Sequence, residues 1–256
     1  MDLGLKDRVC VVTGSTAGIG KETARLLSEE GARVVTCGRR ERGPEVGEEL
    51  HVKADLAAPS APAALIAEAQ RVVGPVECLV NNVGVAYQRS FDELTESDWE
   101  ELWQLNVMSY VRAIQAVLPG MRERRFGRIV NVSSTAGKRP SAGMPDYSVT
   151  KAAVLSLSRL VADVYAKNGI TCNAVTPGPT ASPAWLAPGG LAEQAAERSG
   201  RTRDEVLEGV AKGRPLARLA EPVEIAAVIV FLCSERANYV TGAAWSADGG
   251  TVPIII

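Results

Sequence analysis

Tyr147 and Lys151 stand four residues apart in a stretch that reads as helix, so their side chains leave from one face. An unperturbed tyrosine titrates near ~10, too high for efficient proton exchange at neutral pH, and an adjacent ammonium favours the ionised phenol. The pair predicts a phenol that gives and takes protons. Ser134, at the end of an apolar strand, could offer a hydroxyl to a substrate oxygen. A Tyr-x-x-x-Lys spacing arises often by chance, so its weight comes from the elements around it.

The first such element is a strand, a glycine turn and a helix. Residues 8–13 form a short apolar run, as a strand buried on both faces should, and a helical pattern runs from Lys21 to a closing Gly31. Between them lie Gly14, Ser15, Thr16, Ala17, Gly18, Ile19 and Gly20. Free backbone N–H groups and the positive end of a helix dipole at such a turn suit a diphosphate, although a plain structural turn is the alternative. A P-loop is excluded, because it requires glycine at position 15 and a hydroxyl residue at 22, where this chain has Ser15 and Glu22.

A second strand over residues 33–37 leads into Gly38, Arg39 and Arg40. In a dinucleotide site an acid here holds the ribose 2'-hydroxyl, whereas arginine accommodates a 2'-phosphate, so NADP is favoured over NAD. Solvated loop charge is the alternative for both arginines. A third strand over 50–54 ends in Asp55 and Leu56, with the acid placed to accept from an adenine amino group. A fourth strand over 77–80 ends in Asn81, Asn82, Val83 and Gly84, where amides and a glycine allow close approach to a cofactor.

Further along, residues 95–121 predict one long helix with its N-cap at Ser97, interrupted by a polar Asn106 that is either satisfied in the core or placed for function. A strand over 127–134, a helix over 146–167 and a strand over 170–176 follow, the last leading into Pro177, Gly178 and Thr180. Residues 181–214 begin irregular and continue as a polar, helix-like run, the place where a substrate lid would sit. A helix over 221–234 and a strand over 243–247 complete the pattern, which contains no internal repeat.

The 256 residues suit one large α/β domain better than two small ones. A formal charge of −2 argues against nucleic acid or an anionic membrane as the main partner. The N-terminus shows no apolar secretory segment, and no run approaches membrane-spanning length. Five scattered cysteines without a C-x-x-C pair predict reduced, buried thiols in a cytosol. His51 is the single histidine and lies in no ligand spacing, which leaves little room for a Ser-His-Asp triad or a histidine metal site.

In order and spacing, Thr13-Gly14-x-x-x-Gly18-Ile19-Gly20, Asn81-Asn82-Val83-Gly84, Asn106, Ser134, Tyr147-x-x-x-Lys151 and Pro177-Gly178 resemble the short-chain dehydrogenase/reductase family over nearly the whole chain, 3-oxoacyl-[acyl-carrier-protein] reductases among them. The resemblance implies a single Rossmann-like domain, a doubly wound seven-stranded parallel sheet with helices on both faces. It implies a catalytic tetrad of Asn106, Ser134, Tyr147 and Lys151. Cofactor contacts would come from Gly14, Ser15, Thr16, Gly18, Ile19, Gly20, Arg39, Arg40, Asp55, Leu56, Asn82, Gly84, Tyr147, Lys151, Pro177, Gly178 and Thr180, with no metal. Two positions depart from the family pattern: Val83 stands where alanine is usual, and Ser182 where threonine is usual, so either Thr180 or Ser182 would meet the nicotinamide carboxamide.

The implied chemistry is hydride transfer between a nicotinamide and a carbonyl carbon. Tyr147 would give its proton to the alkoxide, Lys151 would hold the nicotinamide ribose and lower the Tyr147 pKa, Ser134 would bond the substrate oxygen, and Asn106 would anchor a water serving Lys151. The expected enzyme is a cytoplasmic, NADP(H)-dependent reductase of a ketone or 3-oxoacyl thioester. An NAD-linked dehydrogenase of sugars or secondary alcohols, and a non-catalytic nucleotide sensor, are the alternatives. Arg89, Lys138 and Arg139 fall in the expected substrate lining and would suit an anionic substrate or carrier, or are solvated surface charge. The resemblance implies a homotetramer, and the apolar residues 252–256 would suit burial against a neighbouring subunit, packing within their own subunit being the alternative.

Overall fold

The structure is a computed structural model and describes residues 1–253. Seven strands form one parallel sheet: β1 (Val9–Val12), β2 (Arg33–Gly38), β3 (Leu50–Lys53), β4 (Cys78–Asn81), β5 (Gly127–Val132), β6 (Ile170–Pro177) and β7 (Ala244–Ala247), in the spatial order β3-β2-β1-β4-β5-β6-β7. The order runs outward from β1 in one direction and from β4 in the other. All C-terminal strand ends therefore share one edge, with a crevice where the direction reverses.

Alternation along the central strands splits the core into two apolar layers. Val9, Val11, Leu79, Ile129 and Cys172 face one side, covered by α2 (Ala61–Val72), α4 (Ser109–Arg124) and α6 (Pro145–Tyr165). Cys10, Val12, Val80, Val130 and Val175 face the other, covered by α1 (Gly18–Glu29) and α10 (Pro222–Cys233). Burial on both faces explains why these strands read as unbroken apolar runs. All five cysteines are buried and unpaired. His51 bridges the Thr36 hydroxyl (2.9 Å) and the Arg40 carbonyl (3.1 Å), a structural role.

The helix expected over 95–121 is divided. α3 (Glu96–Trp103) is capped by Thr95, not Ser97: the Thr95 hydroxyl accepts from the Asp98 N–H (3.3 Å) while the Asp98 carboxylate accepts from the Thr95 N–H (2.9 Å). That reciprocal box satisfies two N-terminal donors and leaves Ser97 inside the first turn. A wide π turn over Gln104–Met108 then joins α3 to α4, and it carries Asn106. The strand expected to reach Ser134 stops at Val132, and Ser134 instead caps a one-turn helix, α5 (Thr135–Lys138), by accepting from the Ala136 N–H (3.1 Å).

The 181–214 run resolves into α7 (Pro183–Leu186), α8 (Leu191–Ser199) and α9 (Arg203–Lys212). Gly200, with φ of +67°, ends α8 in the left-handed conformation, and a Thr202–Glu205 capping box starts α9. Among the described residues no helix is long and apolar enough to cross a membrane. The expected C-terminal tail lies mostly outside the described residues, and Val252 is buried within its own subunit.

A polar chain crosses the apolar core. Asn81 donates to the Asn131 side-chain oxygen (2.9 Å), and Asn131 donates to the Ser158 hydroxyl (2.9 Å), linking β4, β5 and α6. Asn131→Ala leaves the buried Asn81 amide without an acceptor, while Ser158 keeps its bond to the Val154 carbonyl (2.7 Å), and should cost about 1–3 kcal/mol. Urea denaturation checks this: the midpoint falls while the slope of the transition is unchanged.

Candidate active site

A cavity of about 720 Å³ runs along the C-terminal edge of the sheet. At one end stands the glycine turn. Gly14 and Gly18 have φ of +62° and +55°, conformations that L side chains rarely adopt. α1 begins there with no side-chain cap and no acidic residue in its first turn, so its leading N–H groups are left for a ligand. Thr16, Gly18 and Ile19 line the cavity.

Ser15 and Gly20 act from behind. The Ser15 hydroxyl donates to the Val12 carbonyl (2.8 Å) and accepts from the Cys37 N–H (2.9 Å), tying the ends of β1 and β2. A Cβ on Gly20 would collide with the Gly14 carbonyl and the Asn82 amide. Asn82 in turn donates to the carbonyls of Thr13 and Gly14, each at 3.0 Å, and so braces the turn.

Arg39, Asp55 and Leu56 line the adjoining wall, whereas Arg40 does not and offers its carbonyl to His51. Of the two arginines, only Arg39 is placed to meet a ligand. Asp55 accepts from the Ala57 N–H (3.1 Å), which fixes the carboxylate at the end of β3.

Ser134, Tyr147 and Lys151 line the middle of the same cavity. Lys151 is only 3% exposed, and its ammonium donates to the Val132 carbonyl (2.9 Å) at the end of β5. Its Nζ lies 5.4 Å from the Tyr110 ring centroid and 5.6 Å from that of Tyr147. With no carboxylate beside it, burial pushes the amine down to about 7. The expected effect on Tyr147 is reversed in the protein alone. Burial raises the phenol above its usual value, with the Ser134 hydroxyl working against that shift, and an amine that releases its proton near 7 carries no charge in the range where the phenol titrates.

Asn106 is fully buried and does not line the cavity. Its side-chain oxygen accepts from the Val85 N–H (3.0 Å), and its amide donates to the Val85 carbonyl (3.0 Å) and the Thr150 hydroxyl (3.3 Å). The amide thus clamps the chain just after Gly84 against α6, and core satisfaction and placement beside the site prove to be one arrangement. Gly84 gives that clamp room: a Cβ there would lie 3.1 Å from the Asn106 oxygen and 3.4 Å from the lysine nitrogen, crowding both.

Pro177, Gly178 and Thr180 close the far wall. The Thr180 hydroxyl donates to the Gly178 carbonyl (3.0 Å), while Ser182 lines the cavity with its hydroxyl unengaged among the described residues. The uncommitted hydroxyl is that of Ser182.

Several supporting residues carried no signal in the sequence. Ser133 donates to the Lys151 carbonyl (2.7 Å), and a Cβ on Gly137 would meet that carbonyl at 2.7 Å, so α5 and α6 pack backbone to backbone at the lysine. Asp146, 0% exposed, accepts from the Tyr147 N–H (2.7 Å) and pairs with Arg89 (3.3 Å), which also pairs with Asp98 (2.9 Å). Arg89 is therefore consumed in holding the start of α6. Lys138 likewise donates to the Ala244 carbonyl (2.8 Å) and the Ser246 hydroxyl (2.9 Å). Of the three cations expected in the substrate lining, Arg139 alone is there.

The model of the family described as Enoyl-(Acyl carrier protein) reductase matches residues 14–252. The chain is 37% identical to the uncharacterized oxidoreductase YvrD of Bacillus subtilis, over 98% of this chain and 99% of that protein. It is 34% identical to an acetoacetyl-CoA reductase of Synechocystis, over 97% and 98% of the two chains. L-sorbose reductase from Gluconobacter frateurii, solved in complex with NADPH and L-sorbose, superposes with a TM-score of 0.92 at 33% identity, covering all of both chains.

The buried amine makes stability depend on pH. The unfolded chain keeps the Lys151 proton up to about 10.5 and the folded chain releases it near 7, so this group makes the fold more stable as pH rises through that window and less stable as it falls. Calorimetry from pH 7 to 10 on wild type and Lys151→Met should show a shallower rise in melting temperature for the variant.

Proposed function

The chain belongs to the short-chain dehydrogenase/reductase family of NAD(P)-dependent oxidoreductases, and on that premise we propose that it is an NADP(H)-dependent reductase that converts a ketone, a 3-oxoacyl thioester among the candidates, to a secondary alcohol. The observation that carries the reading is one cavity lined at once by the glycine turn, Arg39, Ser134, Tyr147 and Lys151.

The residues present fit the cofactor. The uncapped start of α1 and the left-handed glycines suit a diphosphate. Arg39 forms no salt bridge among the described residues and suits a 2'-phosphate at the end of β2. The NADPH-bound sorbose reductase supports the same choice. Ser182 takes the carboxamide in preference to Thr180, whose hydroxyl is committed to Gly178.

When bound, the reduced nicotinamide supplies the hydride. Ser134 and Tyr147 hold the carbonyl oxygen from the side of α5 and α6, and Tyr147 protonates it as negative charge develops. Lys151 restores the proton balance at Tyr147. Lys151 would hold the ribose of a bound dinucleotide, and an amine kept charged in that way would lower the phenol from the raised value it has in the protein alone. Asn106 acts as a positioning residue that keeps the chain after Gly84 clear of the amine. α7 to α9 serve as the substrate lid, and α8 is fastened to the wall by the Gln88 N–H, which donates to the Gln194 side chain (2.8 Å).

Tyr147→Phe should lower turnover of ketones by roughly 100-fold or more while NADPH binding, read by fluorescence titration, is retained. Arg39→Leu should reduce the preference for NADPH over NADH by roughly 10- to 100-fold in kcat/KM. A wild-type enzyme that prefers NADH would overturn the assignment of Arg39.

A further inference from the structure

Beyond Lys151 and Arg39, the cavity is lined by two more cations, neither of which forms a salt bridge among the described residues. Arg214, just after α9, lines the same cavity as Tyr147, Ser134, Trp185 and Leu191. One guanidinium nitrogen donates to the Val210 carbonyl (2.8 Å), but its Nε is buried without a hydrogen-bond partner, and among the described residues it forms no ion pair. Burial pulls its titration below the usual arginine range, with no carboxylate among the described residues pushing it back.

Arg139, the C-cap residue of α5, is exposed at the same chamber and also unpaired among the described residues. The single carboxylate among the described lining residues is Asp55, at the end of β3 beside the adenosine wall. A smaller adjoining cavity shares Arg214, but its acids are committed elsewhere. Glu224 pairs with Arg218 (2.6 Å), and Asp248 accepts from the N–H groups of Gly250 (3.0 Å) and Val252 (3.1 Å). A guanidinium that lines a ligand cavity with one terminal nitrogen on a backbone carbonyl and no acid partner among the described residues has its other terminal nitrogen to offer an oxyanion.

We propose that Arg214, assisted by Arg139 at the mouth, is an anion site in the substrate chamber, and that the substrate is a ketone carrying its own carboxylate. The inference rests on the reductase reading for the ketone and on the two arginines for the charge. Both arginines line the cavity that Tyr147 lines, and the carboxylate on the substrate itself is set against the phosphates of a thioester carrier in the test.

The test pairs oxocarboxylates of graded length with their methyl esters, and acetoacetyl-CoA with the neutral N-acetylcysteamine thioester, in wild type, Arg214→Met, Arg214→Lys and Arg139→Met. Wild type should favour one oxocarboxylate over its ester by roughly 10- to 100-fold in kcat/KM, Arg214→Met should abolish that ratio, and Arg214→Lys should restore part of it. Calorimetric binding of the same acids to the NADP-loaded protein reads the site without turnover, and NADPH binding reports that each variant is folded. Binding that requires Arg214 without any ketone reduction would uphold the anion site and sink the reductase reading. Equal use of acids and esters, or a ratio that Arg214→Met leaves intact, would overturn the anion site. A preference confined to acetoacetyl-CoA over the neutral thioester would overturn the carboxylate in favour of carrier phosphate.

Discussion

An amine sits in the interior of this protein with a single backbone carbonyl as its hydrogen-bond partner and no acid nearby. Removing such a charge from water is expensive, and here the amine answers by surrendering its proton near neutrality. The surroundings are arranged to tolerate it. β5 ends so that the Val132 carbonyl meets Nζ, and the hydroxyl of Tyr110 donates to that carbonyl (3.2 Å) and to the Val83 carbonyl (2.9 Å). Gly84 withholds the Cβ that would crowd the nitrogen, and Gly137 lets α5 lie against the lysine's own backbone. An amine poised near 7 can respond to a neighbouring anion, which an exposed lysine near 10.5 could not do at physiological pH.

Parallel topology explains why the phosphate cradle and the tyrosine share one cavity. Every strand enters the sheet from the same end, so the turn after β1, the arginine after β2, the serine after β5 and the Pro177-Gly178 step at the end of β6 collect along one edge. Reversal of strand order between β1 and β4 opens the crevice between them. Fixed backbone groups do most of the positioning. Asn82 holds the glycine turn, Asn106 holds Val85, and Ser133 holds the Lys151 carbonyl, each through side-chain bonds to main chain. Such a site needs little reorganisation when charge develops in it.

Arg89 joins these parts to the helical layer. Its guanidinium pairs with Asp98 of the α3 capping box and with the buried Asp146, stacks 4.4 Å from the Tyr87 ring, and its own N–H donates to the Gly143 carbonyl (2.9 Å). Asp146 in turn fixes the N–H of Tyr147. One cation thereby sets the entry angle of α6 and the two loops beside the substrate chamber. The three lid helices close the remaining side, with α8 bonded to the Gln88 backbone.

The apolar strands alternating with helical runs, the glycine turn, the placement of Tyr147, Lys151 and Ser134, and the arginine after β2 were all legible in the linear sequence. Each is a local pattern whose period or spacing is set by backbone geometry, so it survives without knowledge of distant contacts. The boundaries that were misplaced, such as the cap at Thr95 in place of Ser97 and the end of β5, turn on hydrogen bonds between residues a few positions apart that several local choices could satisfy equally. What only the tertiary structure decided were balances between remote groups. Arg89 is consumed by Asp98 and Asp146 while the Arg214 Nε is left without a partner, Asn106 is spent on Val85, and Tyr147 is raised by its own burial. Charge pairing and desolvation depend on what lies within a few ångströms in space, and the chain's order alone does not set those distances.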